Sequence, residues 1–409
     1  MTLRSIQYLD RPGIIDLSWG LPLPDALPTG DWRAATDEAL QTYGWQALTY
    51  GYEAGPAPLV EWLCERLGET DARAPVPEEV FVTAGASQGI ELVSTVLTRP
   101  GDAILVDSPT YHLALRILAD RDGELIGAPA DDDGIDPHAT GALLHRLRRA
   151  GRRVPLLYLV PTFANPTGVS LSAARRRELV AVARDAGTVI VEDDTYREIA
   201  YDGPAPESLW SLDPETVVRV GSFAKTVAPG LRLGFLTAAA PFVRRLVERG
   251  YVHSGGGLNH ATAFAMAVLG RSGRYAAHVE AVRDRYRRQR DALVGALHGG
   301  ALHGGALHGG ALHGGALHGG ALDGGALDVR VPGGGWFLWP RLPEGMSATT
   351  LLSAAEAHGV SFLPGSRCYA GPGGADRIRL SFSMYDPQSL AEAAGRLSAA
   401  LTTPATRYR

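Results

Sequence analysis

From Val80 onward, short apolar runs alternate with stretches whose apolar residues recur every three or four positions. "EEVFVTAGAS" reads as a strand ending in a turn of small residues. "QGIELVSTVL" reads as a helix carrying Ile90, Val93 and Leu97 on one face. "DAILVDSPTY" is an apolar run broken by Pro109, and "PLLYLVPTFANPTG" is a strand and turn. "RRRELVAVARDAG" is a helix, "TVIVEDDTY" a strand ending in acids, and "VVRVGSFAK" and "RLGFLTA" are two more strands. This alternation predicts an α/β fold: a mostly parallel central sheet with helices on both faces. Ligands of such sheets bind beyond the carboxyl ends of the strands. Ser87, Tyr111, Asn165, Asp193 and Lys225 all fall at or just past such an end.

Arg274 to Leu297 reads as one long amphipathic helix, with Tyr275, Val279, Val282, Tyr286, Leu293 and Leu297 at helical intervals. Beyond it, "VRVPGGGWFLWPRL" and "RIRLSFSM" read as strands, and "TLLSAAEAHG" and "SLAEAAGRLSAAL" as helices, of a smaller α+β unit. The 409-residue length also suggests more than one unit. The expected division is an N-terminal arm and small-domain segment at 1–45, a large domain at 46–285, and a C-terminal small domain at 286–409.

Five copies of "ALHGG" interrupt this pattern from Ala296 to Gly320, followed by "ALDGGALD". They place His298, His303, His308, His313 and His318 at every fifth position. A five-residue step turns a helix by about 140°, so the leucines form no stripe. An odd period throws successive leucines to opposite faces of a strand. Spaced histidines bind nickel or zinc on a wrapping backbone, but no supporting partner is visible in the sequence. The expectation is a tandem expansion in a surface linker at 296–325, with no metal. Removing Ala296 to Gly325 leaves "ALVGALDVRVPGGGWFLW", a natural helix–turn–strand connection, and activity is expected to survive that deletion.

Apolar residues make up 45% and charged residues 20%, enough for a sizeable core. A net charge of −5 argues against nucleic acid or an acidic membrane surface as the main partner. No stretch reaches about 18 apolar residues, and no leader is expected. Two distant cysteines, Cys64 and Cys368, fit a reducing, cytoplasmic setting. One count changes the picture more. Of 39 basic residues, Lys225 is the one lysine; the others are arginine. Arginine serves for surface charge, but it cannot readily lose its proton and attack a carbonyl as a buried lysine can.

The surroundings of Lys225 sharpen that chemistry. In "VVRVGSFAKTVAPGLRLGF", Ser222 lies three residues before it and Arg232 seven after. The set suits an aldehyde cofactor with a phosphate: the lysine forms a Schiff base while Ser222 and Arg232 hold the anion. "VEDDTYREI" offers a carboxylate for a protonated pyridine nitrogen and Tyr196 for a ring oxygen, although a helix cap would explain the acids equally well. "PTFANPTG" is a turn by composition, which leaves Asn165 free for a ring oxygen or a substrate carboxylate. "TAGASQGIEL" opens a helix whose free N–H groups suit a phosphate, with Ser87 and Gln88 as side-chain donors.

In this order the motifs resemble fold-type-I pyridoxal-phosphate-dependent aminotransferases of class I/II. The nearest likeness is to the branch holding 2-aminoadipate aminotransferases and the aminotransferase domains of MocR-type regulators. The resemblance runs from "IDLSWGLPLPDALP" through "TYGYEAGPAPLVEWL", "VTAGASQGIEL", "DSPTYHLAL", "PTFANPTG", "VEDDTYREI" and "SFAKTVAPGLRLGF" to "GGGWFLW" and "RIRLSFS". It implies pyridoxal 5′-phosphate as cofactor and transfer of an amino group from an L-amino acid to a 2-oxo acid through a pyridoxamine-phosphate form. It implies that Lys225 carries the cofactor and moves the proton, and that Asp193 pairs with the pyridine nitrogen. Tyr196 and Asn165 would contact the ring oxygen, and Tyr111 would stack on the ring. Ser87, Gln88, Ser222 and Arg232 would hold the phosphate, with the Ala86 backbone beside them. Arg379, Asn165 and Gly20 would contact the substrate. Asp193 rather than Asp194 follows from the Asp-x-x-Tyr spacing, and Arg379 rather than Arg377 from its place in "RLSFS". Tyr50 would reach the neighbouring subunit's cofactor, which implies a homodimer with shared sites.

The chain departs from the family's usual pattern at Ser18, Trp19 and Gly20, and again at Trp336. The resemblance leaves the substrate side chain open, with Arg367, Trp19, Tyr43 and Trp336 as candidates. Elimination, cyclisation or oxidation of an amino acid would use the same motifs and stands as the alternative. A transcriptional regulator would need a basic DNA-binding segment, whereas the family pattern already begins near Asp16.

Overall fold

A computed structural model of the protein describes residues 11–255, 259–298 and 327–402. The expectations for most of the pentapeptide stretch, with His303, His308, His313 and His318, lie outside the described residues.

The apolar runs become one seven-stranded sheet. Its spatial order is Val80–Thr83, Gly234–Thr237, Val217–Ser222, Val189–Asp193, Leu156–Leu159, Ala103–Val106 and Glu124–Gly127. Gly234–Thr237 runs antiparallel to both neighbours, and the other pairings are parallel. Val80–Thr83, Ala103–Val106 and Leu156–Leu159 are buried at every position. Continuous apolar runs of this kind belong to strands covered on both faces.

The two-residue period then sorts side chains between the faces. On one face Ile104, Leu156, Tyr158, Val191 and Val220 pack with Ile90 and Val93 of the helix Ala86–Leu97. On the other, Leu105, Leu157, Leu159 and Ile190 pack with Leu143 and Leu144 of Pro137–Arg149 and with Leu179 of Ala173–Asp185. Asp193 therefore shares the face of Val191, and Glu192 the opposite one.

The helix Arg274–Leu297 buries the six apolar residues its periodicity marks, and Gln289 and Arg290 as well. It packs against the helix Pro387–Thr402. A small antiparallel sheet of Phe337–Leu338, Ile378–Ser381 and Leu363–Pro364 lies nearby in sequence. The chain's beginning joins this region: Ile15–Asp16 pairs in parallel with Val360–Ser361, and Ser381 N–H donates to Leu17 O at 2.8 Å. The run expected as a strand, "VRVPGGGWFLWPRL", yields only the two residues Phe337–Leu338. The three glycines before it turn instead against residues 199–202. Gly335 N–H donates to Ile199 O at 2.9 Å with its own φ at +76°.

Candidate active site

Lys225 sits in the turn that follows the strand Val217–Ser222 and is partly buried. Burial pushes its amine down to about 8, with Asp193 opposing and Arg379 and Arg232 assisting the shift. Its Nζ lies 4.6 Å from the Trp336 ring centroid and 5.6 Å from that of Tyr196.

Asp193 closes the neighbouring strand and is buried. Its Oδ2 accepts a hydrogen bond from Tyr158 Oη at 2.7 Å. Burial raises its pKa, while the hydrogen bonds from Tyr158 and Thr195 oppose the rise. No arginine stands in ion-pair contact with it among the described residues. Asp194 has a different setting: its Oδ2 lies 2.9 Å from Arg219 Nε and 3.5 Å from Arg197 Nε. The two adjacent acids of "EDD" thus differ as strand alternation requires.

Arg379 is almost fully buried in the strand Ile378–Ser381. Its Nη1 donates to Asn165 Oδ1 at 2.7 Å and its Nη2 to Ser18 O at 2.5 Å. Its guanidinium lies 4.2 Å over the Phe337 ring, and its Nε has no hydrogen-bond partner. Arg377, two residues earlier, instead donates to Trp339 O at 3.5 Å. Tyr196 shares a hydrogen bond with Asn165, and burial raises the pKa of its phenol. Tyr111 begins the helix His112–Ala119, and burial pushes its phenol up to about 12. Gly20 packs so closely on Phe337 that an added Cβ would stand 2.6 Å from Cζ.

The helix Ala86–Leu97 starts at Gly85, whose φ is +88°, with no side-chain cap on its first N–H groups. Arg232, itself at φ +47°, leans over this end. Its Nη2 donates to Ala84 O at 3.4 Å, and a Cβ on Gly85 would meet that same nitrogen at 2.7 Å. Gln88 Oε1 accepts from Ala84 N–H at 2.6 Å, and Ser222 Oγ accepts from Ala224 N–H at 3.1 Å. Bare helical N–H groups beside a guanidinium form an anion cradle. Tyr50 is not brought to this group: it is 84% exposed, with its ring against Gly255.

These contacts suit the cofactor expected from the sequence. A buried carboxylate without an ion pair fits a cationic ring nitrogen. An uncapped helix end with Arg232 fits a phosphate, and the unpartnered Nε of buried Arg379 fits a carboxylate. The sequence reading missed Tyr158, Phe337 and the Ser18 carbonyl. Tyr158 had a signal: it is the one residue of "PLLYLV" that carries a hydroxyl, inside an otherwise apolar run.

A sheet with one reversed strand among parallel ones, and a small C-terminal unit joined by the chain's beginning, is the layout of fold-type-I enzymes. Residues 12–397 match the family model for aminotransferase class I and II, and the chain belongs to that family. It is an enzyme, a transaminase. The 2-aminoadipate transaminase of Thermus thermophilus is 32% identical over 409 residues, covering 98% of this chain and 93% of that one. Aromatic-amino-acid aminotransferase 1 of Thermococcus litoralis is 28% identical over 402 residues, covering 96% and 89%. Among solved structures, LysN, the alpha-aminoadipate aminotransferase of Thermus thermophilus complexed with N-(5′-phosphopyridoxyl)-L-leucine, superposes with a TM-score of 0.79. It is 30% identical and covers 95% of this chain and 92% of that one. No helix among the described residues is long and apolar enough to cross a membrane.

Proposed function

We propose that this transaminase works with pyridoxal 5′-phosphate held at the carboxyl edge of the parallel strands, taking an amino group from an L-amino acid and giving it to a 2-oxo acid. The observation that carries this reading is the chain's one lysine. It stands partly buried against the aromatic rings of Tyr196 and Trp336, within the attraction of the Asp193 carboxylate. When bound, the cofactor supplies an aldehyde for the amine and a ring that takes up electrons released at the substrate Cα.

The chain's own residues do the rest. Lys225 would hold the cofactor and then, as a free amine, would take the proton from Cα and deliver it to the carbon that carried the cofactor's aldehyde. An amine pushed down to about 8 is suited to both acts near neutral pH. Asp193 would pair with the protonated ring nitrogen, and the hydrogen bond from Tyr158 opposes the effect of burial on that carboxylate. Asn165 and Tyr196 orient the ring oxygen, and Tyr111 covers the ring face. The N–H groups from Ala86, with Ser87, Gln88, Ser222 and Arg232, hold the phosphate. Arg379 takes the substrate α-carboxylate, aligned by Asn165 and the Ser18 carbonyl, with Gly20 packed against Phe337 beside it.

The protein acts in this reading as a cytoplasmic homodimer, with Tyr50 lent to the neighbouring site. Its large domain spans 46–285, flanked by small-domain segments at 1–45 and 286–409. Borohydride reduction of the loaded enzyme tests the centre of the proposal. It is expected to fix the cofactor on the peptide containing Lys225 alone. Lys225→Ala, with its N-terminal amine blocked, is expected to lose absorbance near 420 nm and all transfer; a variant that keeps both would refute the assignment. A panel of amino-acid donors with 2-oxoglutarate then reads the substrate class.

A further inference from the structure

Trp336 stands at the site without a part in the roles above. Its side chain is fully buried, and it is closer to Lys225 Nζ than the Tyr196 ring is. The ring is also held in place. Tyr201 N–H donates to Gly333 O at 2.7 Å, Gly335 N–H to Ile199 O at 2.9 Å, and Phe382 N–H to Trp336 O at 3.1 Å. Tyr201 Oη closes the same loop on Gly335 O. Tyr196 and Tyr286 meet the indole at steep angles, with centroids 6.0 and 5.4 Å away. On the Gly20 side, an added Cβ would stand 3.4 Å from Trp336 Cε3. The loop that carries the ring is thus pinned, and the ring itself is enclosed by its neighbours.

Consider what a protonated Lys225 meets here. Arg379, from the small sheet, and Arg232, from the loop after Pro229–Leu231, both repel it. Asp193 attracts it while also accepting from Tyr158 and Thr195. The Tyr196 hydroxyl is turned to Asn165. Beside that carboxylate the amine meets aromatic surface, and an indole face attracts a cation more strongly than other aromatic side chains do.

We infer that the face of Trp336 is the seat of the Lys225 ammonium whenever that amine is free. The indole steadies the side chain and strengthens its hold on a proton. Trp336 is thus a positioning residue that acts through Lys225. The inference rests on the reading of Lys225 as the proton carrier, because a lysine that both takes and delivers a proton must be stable in both forms.

The single lysine makes the test direct. In the cofactor-free protein, trinitrophenylation of the Lys225 peptide is followed against pH, and the midpoint of its rate gives the amine's proton affinity. Trp336→Met keeps an apolar side chain without an aromatic face, and Trp336→Phe keeps a weaker face. The acid dissociation constant of the ammonium is expected to rise about 3- to 10-fold in Trp336→Met, a fall of roughly half to one pH unit in the midpoint. Trp336→Phe is expected to fall between it and the unaltered protein. Should Trp336→Met fail to fold, mono- and trifluorinated tryptophan weaken the ring face with little change of shape. The midpoint is then expected to fall with each added fluorine. Unmoved midpoints in Trp336→Met, or in the fluorinated proteins, would overturn the inference. Borohydride trapping on Lys225 is read separately in the loaded enzyme, so loss of the cofactor assignment and loss of the tryptophan seat are told apart.

Discussion

Asp193 sits at an apolar strand end where burial favours its neutral form, and Tyr158 is the neighbour that opposes this. Its hydroxyl donates to the carboxylate at 2.7 Å from inside the adjacent strand. A hydrogen bond to a charged group contributes about 1.5–3 kcal/mol, or roughly one to two pH units. The sign follows. Tyr158→Phe removes a donor from the ionised form, so the Asp193 pKa rises further and the carboxylate protonates at higher pH. The acid limb of kcat/KM against pH is expected to move up by about one unit, with a smaller change on the plateau. An unmoved acid limb would mean that Tyr158 only packs. Arg379 shows the same dependence on a neighbour. Asn165 accepts from one of its Nη groups and Ser18 O from the other, so the guanidinium is oriented before any carboxylate arrives.

At the scale of the element, the strands Val189–Asp193 and Val217–Ser222 have to hold Asp193 and Lys225 at a fixed separation. Their far face carries a buried set of charges that suits this task. Arg219 lies 2.9 Å from Asp194 and 3.2 Å from Asp71, and Arg197 lies 3.2 Å from Asp71. The Asp194 oxygens make no aligned hydrogen bond, so charge rather than geometry holds them. Glu192 adds a further clamp by accepting from Leu209 and Trp210 N–H at 2.9 Å each, which ties the strand to the helix Leu209–Leu212. Removing one member leaves buried charge uncompensated, at a cost of about 3–5 kcal/mol. Arg219→Ala is therefore expected to lower stability by that amount in urea unfolding, although Arg219 lies on the face away from Lys225. A loss below about 1 kcal/mol would show that the cluster is screened.

The whole molecule exposes an apolar surface that a single chain leaves unexplained. Trp45, Tyr52 and Leu48 are 75%, 75% and 72% exposed, and Tyr50, between them in sequence, is exposed as well. Exposed apolar patches of this kind mark interaction surfaces. In the proposed homodimer these residues would be covered and Tyr50 would reach the other subunit's site. Complementation tests this. Tyr50→Ala and Lys225→Ala are each expected to be impaired, while a mixed dimer rebuilds one intact site from Lys225 of one subunit and Tyr50 of the other. Each mixed dimer should reach about half of the unaltered value, so random pairing on co-expression should bring total activity towards about a quarter. No recovery, with mixed dimers present, would place Tyr50 in its own subunit's chemistry or in none.

The sequence by itself determined the order of elements, because apolar period is a local property. The helix Arg274–Leu297 and the strand ends bearing Ser87, Asp193 and Lys225 could be read directly from it. It also singled out Lys225, because a count needs no coordinates. Apolar period gives neighbouring residues equal signals; motif spacing chose between them, but it does not say what each side chain meets. Asp193 and Asp194 share a strand end, and only the sheet's register turns one towards Tyr158 and the other towards Arg219. Arg377 lies just before the strand Ile378–Ser381 and Arg379 within it, and only packing buries the second against Asn165, 214 residues away. The same holds for Trp336. Its motif marks a departure, but its closeness to Lys225 depends on three glycines folding back on residues 199–202. Local spacing is written along the chain, whereas contacts across hundreds of residues exist only once the layers have closed on each other.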